Sequence, residues 1–448
     1  MTDAIFAAQA NAARPAPADA VDPPRPTVDY QKIVSSAVAV FVANGAIVNV
    51  EPSPYDLLFF IAMPLWFVGG FAVHRSVVLL ACLLFGFTLA GFAALVPHWA
   101  LADSSVFQYL SAYLALTALF FALFVGNRTS ARIEVVFKAY AAGAAFASVC
   151  AILGYFDVAG LSDAFTRWGR AMGTFKDPNV YGPFCVLGVV YLVQGLLLRR
   201  TRWLILSSGV LIVIVTGVLL SFSRGAWGAV TVATAMMAGS HYLTTDNAAI
   251  RRRIALGAVL AVAAVAIVLV VLLSIEQTRE MFFLRASVTQ DYDEGATGRF
   301  GNQMRSIPML IDRFFGFGPL LFRNHFGIEP HNSYIGAFAN TGWVGGLIFI
   351  LLVMVTTFVG FRLIARPSPY RDAAQVAFPA LFVFFLQAFQ IDIDHWRHVF
   401  LLLGLVWGLE AARQRWEEAQ DAETPPLTPP PASPPGLRRG PLAPGSAP

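Results

Sequence analysis

The chain has 448 residues, of which 57% are hydrophobic and 13% are charged, with a mean hydropathy of +0.64 and a net charge of +4. Soluble domains carry about 25% charged residues, so this composition excludes a soluble globular protein and predicts a polytopic membrane protein. Cys82, Cys150 and Cys185 all lie in apolar runs, which argues against both a disulfide framework and a thiolate metal cluster.

Twelve apolar segments are candidates for transmembrane helices, because such a helix needs about 20 mostly apolar residues. They lie at residues 33–50, 55–73, 76–96, 107–126, 135–156, 181–198, 203–221, 225–243, 254–275, 332–360, 374–391 and 397–412. The first contains Asn44 and Asn49 and the last is short, so the pattern also fits eleven or thirteen spans. The sequence therefore predicts an all-α fold with about twelve transmembrane helices.

The two ends of the chain have compositions that do not support a packed core, one rich in Ala, Pro and Asp and the other rich in Pro. We therefore expect five regions along the chain. They are a disordered cytoplasmic arm (1–32), nine spans (33–275), an outer segment with an amphipathic helix (276–331), three spans (332–412) and a cytoplasmic tail (413–448).

Basic residues indicate the orientation of the spans, since cytoplasmic loops are enriched in Lys and Arg. With a cytoplasmic N-terminus, clusters such as Arg199–Arg200 and Arg251–Arg253 fall on the cytoplasmic side, and the first two outer loops contain no basic residue. The pattern favours an even number of spans with both termini in the cytoplasm. It also places several arginines on the outer side, where this rule disfavours them.

The stretch SFSRGAWG (221–228) holds Arg224 between two apolar runs with almost no loop. An arginine at this depth must snorkel, pair or face a wet cavity, and intramembrane ionisable residues are by default candidates for function. The alternative is plain snorkelling of the side chain towards the headgroups.

The stretch RWGRAMGTFKDPNVYGP (167–183) contains Gly, Pro and Asn, which predicts a structured turn before the next span. It offers Arg167, Arg170 and Lys176 at the outer face. Guanidinium groups bind phosphate in a two-pronged manner, and Lys acts as a point charge. The alternative is a solvated loop with ordinary ion pairs, such as Lys176 with Asp177.

The outer segment 276–331 contains apolar residues at helical spacing, among them Met304, Ile307 and Ile311. This spacing predicts an amphipathic helix that lies on the membrane. Arg299 precedes the helix, within reach of the surface, and is a candidate for a site there. The alternative is a plain interfacial helix with no site.

The stretch EPHNSY (329–334) places His331 at the outer mouth of the next span. A neutral imidazole there can accept a proton near pH 7, and Asn332 can form hydrogen bonds or cap the helix. The alternative reading is an interfacial polar residue followed by a helix cap.

The stretch DIDHWRH (392–398) joins the last two spans. Asp392, Asp394 and His395 are compatible with a divalent cation. They are equally compatible with a polar loop in which Trp396 anchors the interface.

Taken together, SFSRGAW, GTFKDPNVYGP and PHNSYIGAFANTGWVGG resemble the bacterial O-antigen ligase and O-antigen polymerase superfamily. The layout is also similar, with about twelve spans and one large outer segment before the span that carries His-Asn-Ser. The likeness covers most of residues 35–410. The outer segment is modest in length, so we do not expect a separate acceptor-recognition domain.

The resemblance implies a GT-C-like inner-membrane glycosyltransferase with a periplasmic active site and no metal or other cofactor. Its donor would be a glycan on undecaprenyl diphosphate, and its acceptor a sugar of the lipid A–core for a ligase or another lipid-linked glycan for a polymerase. Membrane lipids, but no nucleic acid, are the other expected partners. By motif, the diphosphate-binding arginines map onto Arg170, Arg224 and Arg299, and the catalytic histidine onto His331. Lys176, Asn332 and Arg305 are secondary candidates.

Two alternatives remain open at this level. A polymerase of O-antigen or exopolysaccharide would use the same motifs. A transporter or flippase also has about twelve spans, although carriers often show two similar halves and polar groups at mid-membrane, whereas here the polar features lie at the outer face.

Overall fold

The computed structural model of the protein describes residues 28–286, 295 and 297–423. Within these ranges the protein is all-α apart from one hairpin of two short antiparallel strands. The helices are α1 (Val28–Ala43), α2 (Pro54–Val68), α3 (Arg75–Leu95), α4 (Ala102–Gly126), α5 (Thr129–Tyr155), α6 (Ser162–Phe165), α7 (Pro178–Leu197), α8 (Leu204–Leu220), α9 (Arg224–Thr244), α10 (Ala248–Leu273), α11 (Glu276–Ala286), α12 (Arg299–Ile311), α13 (Phe322–Phe326), α14 (Ser333–Ala365), α15 (Arg371–Gln387) and α16 (Arg397–Glu423). The strands are β1 (Thr166–Arg167) and β2 (Arg170–Ala171), and short 3-10 helices cover Asn44–Ala46, Val96–His98 and Val158–Gly160.

Each of the twelve segments that we predict to cross a membrane contains one helix. Among the described residues, six helices are long and apolar enough to do so, namely α3 with the 3-10 turn that follows it, α4, α5, α7, α10 and α14. Helices α2 and α8 are shorter but also apolar. Helix α16 continues past residue 412 to Glu423, because the buried Arg413 pairs with Glu410 and Glu417 along the same helix.

The segments between helices meet at two opposite ends of the helix bundle. At one end Arg397 forms a two-pronged ion pair with Asp56, with N–O distances of 2.8 and 2.6 Å. At the other end Arg75 lies 2.7 Å from Glu418, and the Arg415 guanidinium donates to the Asn127 side chain at 2.8 Å. Loops predicted to lie on the outer side thus contact one another, and so do the loops predicted to be cytoplasmic.

Aromatic side chains fill the core where α1, α2 and α4 meet. The ring of Phe41 lies 4.2 Å from Tyr55 and 5.5 Å from Phe121, measured between centroids. All three side chains are buried. This packing fixes the start of α2, and with it the ion pair between Asp56 and Arg397.

The predicted amphipathic helix is α12, and its orientation is the reverse of that in a soluble protein. Its polar residues Gln303 and Ser306 are buried, whereas Met304 and Ile311 are 70% and 60% exposed. In a membrane protein an outward apolar face suits contact with lipid. The inward polar face leaves α12 hydrogen-bonded to the loops of the bundle.

Helix α14 is interrupted at Gly342, whose φ of 70° and ψ of −168° are accessible only to glycine. The break lets the loop after α12 run alongside α14, where the Trp343 N–H donates to the Phe314 carbonyl at 2.9 Å. The Trp343 side chain also donates to the Leu310 carbonyl at 3.1 Å. These bonds fasten α12 against the N-terminal half of α14.

Candidate active site

Arg170 is presented by the hairpin between α6 and α7. Trp168 and Gly169 both have positive φ, at 54° and 68°, as a tight two-residue turn requires. The side chain of Arg170 is buried, with Nε donating to the Ser221 carbonyl at 2.8 Å and Nη2 donating to Asn179 Oδ1 at 2.7 Å. The hairpin is therefore tied to the start of α7 and the end of α8.

Arg224 is the first residue of α9. Phe222 turns the chain with a φ of 47°, and Ser223 caps the helix by accepting from the Ala226 N–H. This turn explains how two apolar helices follow each other with almost no loop. It places a guanidinium group at a helix N-terminus, which itself favours negative charge.

Arg299 is the first residue of α12. Its Nη1 donates to the Gln390 carbonyl at 3.2 Å, and its guanidinium lies 4.8 Å from the Phe300 ring centroid. The bond to Gln390 holds the start of α12 close to the loop between α15 and α16.

His331 precedes α14 and has a left-handed backbone, with a φ of 46°. Its N–H donates to Asp392 Oδ2 at 3.0 Å, and its ring Nδ1 lies 3.5 Å from the same oxygen. The side-chain amide of Gln303 donates to the carbonyls of Pro330 and His331 at 2.9 and 3.4 Å. Asp392 and Gln303 therefore hold this backbone from two sides.

These four residues line one cavity of about 1040 Å³. Its volume is at the upper end of the roughly 300–1,000 Å³ usual for small-molecule sites. Other polar residues that line it are Asp177, Asn179, Ser223, Arg285, Glu329, Gln387, Gln390, Asp392 and His395. We call the end of the bundle that holds this cavity the cavity end. It is the end at which Asp56 pairs with Arg397.

The secondary candidates lie outside the set of described residues that line the cavity. Lys176 forms an ion pair with Glu51 at 2.7 Å, and Arg305 bonds to the Asn302 side chain. Asn332 caps α14, because its side chain accepts hydrogen bonds from the backbone N–H groups of Tyr334 and Ile335. Each of the three side chains thus has a partner within the protein, outside the cavity lining.

The DIDHWRH loop contributes two carboxylate–imidazole pairs. Asp392 accepts from the backbone N–H groups of His331 and Asn332, both at 3.0 Å, while Asp394 lies 3.0 Å from His395 Nδ1. Among the described residues, no group of three or more His, Cys, Asp or Glu side chains is arranged to hold a metal ion.

His395 faces the cavity beside these carboxylates. Burial alone would lower its pKa, but the hydrogen bond to Asp394 and the charges of Asp392 and Glu329 outweigh burial and raise the pKa. A raised pKa favours the imidazolium form of His395, whose charge is paired with the Asp394 carboxylate.

Sequence reasoning did not propose Arg285, Glu329 or Gln387 as site residues, although all three line the cavity. Burial raises the pKa of Glu329 to about 7, with a smaller contribution from the charge of Asp392. Its position two residues before His331 is the one signal in the sequence that pointed to it. Gln387 ends an apolar span, where its amide donates to the Gly225 carbonyl.

The fold and the cavity define a multi-pass helical membrane protein with a polar, arginine-lined cavity at one end of its bundle. Residues 209–350 match the family model described as O-antigen ligase, which confirms the resemblance to the O-antigen ligase and polymerase superfamily. The matched region includes Arg224, Arg299 and His331. A search of curated proteins finds no match for the chain.

Proposed function

We propose that the protein is an inverting glycosyltransferase of the O-antigen ligase type, which moves a glycan from undecaprenyl diphosphate to an acceptor sugar at the periplasmic face. One observation carries this proposal. Arg170, Arg224, Arg299 and His331 come from four distant segments of the chain, and all four line the same cavity. The family match supports a glycan-transferring activity in general, with a lipid-linked glycan and an acceptor as partners.

The arginines have the chemistry to bind the diphosphate of the donor. Breaking the bond between sugar and phosphate leaves additional negative charge on the diphosphate. Guanidinium groups fixed in place before the reaction stabilise that charge as it develops. Arg170 and Arg299 are held by carbonyl groups at 2.8 and 3.2 Å, so little reorganisation is needed when the donor binds.

His331 has the position of a general base. Its Nδ1 faces Asp392, which leaves Nε2 to take the proton from the acceptor hydroxyl. The hydroxyl oxygen forms the new bond to the anomeric carbon from the side opposite the diphosphate. The sugar–phosphate bond breaks, its electron pair goes to the diphosphate oxygen, and the anomeric configuration inverts.

In this proposal the arginines supply the charge stabilisation that a metal ion supplies in other enzymes. Both carboxylate oxygens of Asp392 accept hydrogen bonds from backbone N–H groups, which favours a role in positioning His331. We therefore expect transfer to persist in EDTA, without stimulation by Mg²⁺ or Mn²⁺.

The test is a transfer assay with purified protein, a lipid-linked glycan donor and an acceptor. We expect Arg224→Ala to lower the rate by about 10²–10³-fold, the range for loss of one donor that stabilises developing charge. We expect His331→Ala to lower the rate by about 10²–10⁴-fold, the contribution of a positioned general base. Normal transfer by both variants would contradict the assignment.

Matched controls exist at the same end of the bundle. Arg313 and His325 are exposed residues outside the cavity lining, and Arg313→Ala and His325→Ala should retain transfer. Offering both lipid A–core and a second lipid-linked glycan as acceptors separates a ligase from a polymerase by product. Solute or lipid movement without glycan transfer would instead favour a transporter.

A further inference from the structure

Among the described residues three carboxylates line the cavity, and two of them are satisfied by backbone donors. Asp177 Oδ1 accepts from the Asn179 N–H at 2.6 Å, where it caps α7. Asp392 accepts two N–H bonds at 3.0 Å. The third carboxylate, Glu329, has no comparable arrangement.

Glu329 Oε1 is buried and has no hydrogen-bond partner within the described part of the chain. The nearest cation is Arg323, whose Nε lies 3.7 Å away. Arg323 is shared, because its Nη2 lies 2.9 Å from Asp103. The charge of an ionised Glu329 is therefore poorly compensated.

The charged groups around Glu329 come from several elements. They are Arg323 on α13, His331 before α14, Asp392, Asp394 and His395 in the loop after α15, and Arg299 at the start of α12. Burial, Asp392 and Asp394 favour the neutral carboxyl, whereas Arg323 and His331 favour the ionised form. The first group prevails, so the neutral and the ionised forms are both populated near pH 7.

We propose that Glu329 binds the diphosphate of the donor as a neutral carboxylic acid, so that donor binding is coupled to proton uptake by this residue. The inference rests on the proposed function, since it concerns the same cavity. An ionised carboxylate would repel the anion, whereas a protonated one donates an O–H hydrogen bond to a phosphate oxygen. In the second case the Glu329 O–H gains an acceptor on the phosphate, and no ionised carboxylate is left beside the bound anion.

The same proton also bears on the release of the product. While the sugar–phosphate bond breaks, neutral Glu329 adds no negative charge beside the diphosphate and its O–H bond strengthens as that charge grows. When the proton is lost to water after transfer, the carboxylate repels the product diphosphate. Glu329 thereby binds the anion in one protonation state and disfavours it in the other.

The experiment measures binding of farnesyl diphosphate, a short prenyl diphosphate, to the full-length protein in nanodiscs. The wild type is compared with Glu329→Gln, which is neutral at every pH and keeps the side-chain shape. If only the neutral form binds, the competent fraction at a pKa of about 7 falls about thirtyfold between about pH 6 and about pH 8.5. The pH profile of the Glu329→Gln Kd reports the titration of the ligand itself. Relative to that profile, the wild-type Kd should rise about thirtyfold over the same pH range.

Two further variants complete the test. Glu51→Gln makes the same chemical change at the same end of the bundle, outside the cavity lining, and should follow the wild type. Glu329→Asp keeps a titratable carboxyl, so its binding should retain a pH dependence. Calorimetry in buffers of different ionisation enthalpy should show that the wild type takes up more protons on binding than Glu329→Gln does.

The failure of this inference differs from the failure of the proposed function. If Arg224→Ala weakens binding but wild type and Glu329→Gln have parallel pH profiles, the role of Glu329 is wrong and the diphosphate site stands. If Arg224→Ala and the wild type bind the probe equally well, or neither binds it, the diphosphate site itself is wrong.

Discussion

His331 has a backbone conformation that costs a non-glycine residue about 1–3 kcal/mol. It persists because Asp392 accepts its N–H and Gln303 donates to its carbonyl, at 3.0 and 3.4 Å. The same Asp392 oxygen lies 3.5 Å from the ring Nδ1. One carboxylate thus fixes both the main chain and the side chain of the proposed base.

This dual contact predicts the effect of Asp392→Asn. The amide retains one oxygen acceptor but turns an NH₂ group towards a backbone N–H, and it removes the negative charge beside His331. We expect kcat of glycan transfer to fall by about 10²-fold, part of the 10²–10⁴-fold that a positioned base supplies. The donor KM should rise by a smaller factor than kcat falls, because the arginines are untouched and Asp392 contributes less than burial to the raised pKa of Glu329.

Steady-state kinetics with purified protein provide the measurement. Asp312→Asn is the matched control, since Asp312 is exposed at the end of α12 and lies outside the cavity lining. A raised KM with an unchanged kcat would assign Asp392 to donor binding instead of to positioning of the base.

Some residues of the candidate site can be recognised from the sequence and others cannot, for physical reasons. Arg224 is recognisable because burying an arginine between two apolar runs costs free energy unless the side chain snorkels, pairs or faces a water-filled cavity. Apart from its position two residues before His331, Glu329 has no signal, because a single glutamate in an outer loop has the pattern of a solvated residue. The charged groups around it come from α13 and the loop after α15, which lie far apart in the sequence.

At the scale of elements, α12 shows what helical periodicity can and cannot indicate. The spacing of Met304, Ile307 and Ile311 predicts the helix, which the structure confirms as Arg299–Ile311. The same spacing does not reveal that Gln303 is buried and bonded to the carbonyls around His331. That contact depends on the path of the loop before α14, which no local pattern specifies.

The break in α14 gives a stability prediction for Gly342→Ala. A Cβ there would lie 2.4 Å from the Phe314 carbonyl oxygen, and the φ of 70° with ψ of −168° is strained for alanine. We expect a loss of at least about 1–3 kcal/mol in the free energy of unfolding from backbone strain, with the steric contact adding to it.

Thermal unfolding in one detergent, with wild type and variant side by side, measures this effect. Gly239→Ala is the matched control, because a Cβ at this helical position meets nothing within 4 Å. Alanine is favoured over glycine inside a helix by about 1 kcal/mol, so the control should be neutral or slightly more stable. Equal melting temperatures for Gly342→Ala and wild type would show that the break tolerates a side chain.

At the scale of the whole molecule, the apolar lengths in the sequence were sufficient to predict where the long helices lie. Their packing required contacts between distant residues, such as Arg397 with Asp56 at the cavity end and the bond from Arg362 to Glu410 at the other. Buried ion pairs therefore stabilise both ends of the bundle, and the arginine-lined cavity lies at one of them.

The orientation of the bundle in the membrane is the last prediction. The distribution of basic residues predicts that the cavity end faces the periplasm and that both termini lie in the cytoplasm. In a background where Cys82, Cys150 and Cys185 are replaced by alanine, single cysteines can be introduced at two exposed positions. Asn324→Cys lies on α13 at the cavity end, and Asp246→Cys lies between α9 and α10 at the other.

A membrane-impermeant maleimide applied to intact spheroplasts should label Asn324→Cys at once and Asp246→Cys only after the membrane is permeabilised. The order matters for the mechanism, because the proposed donor presents its glycan outside the cytoplasm, and a cavity end facing inwards would never meet it. Labelling of Asp246→Cys alone in intact spheroplasts would therefore overturn the orientation and the periplasmic site together. Labelling of both would mean that the two ends of the bundle do not lie on opposite sides of the membrane.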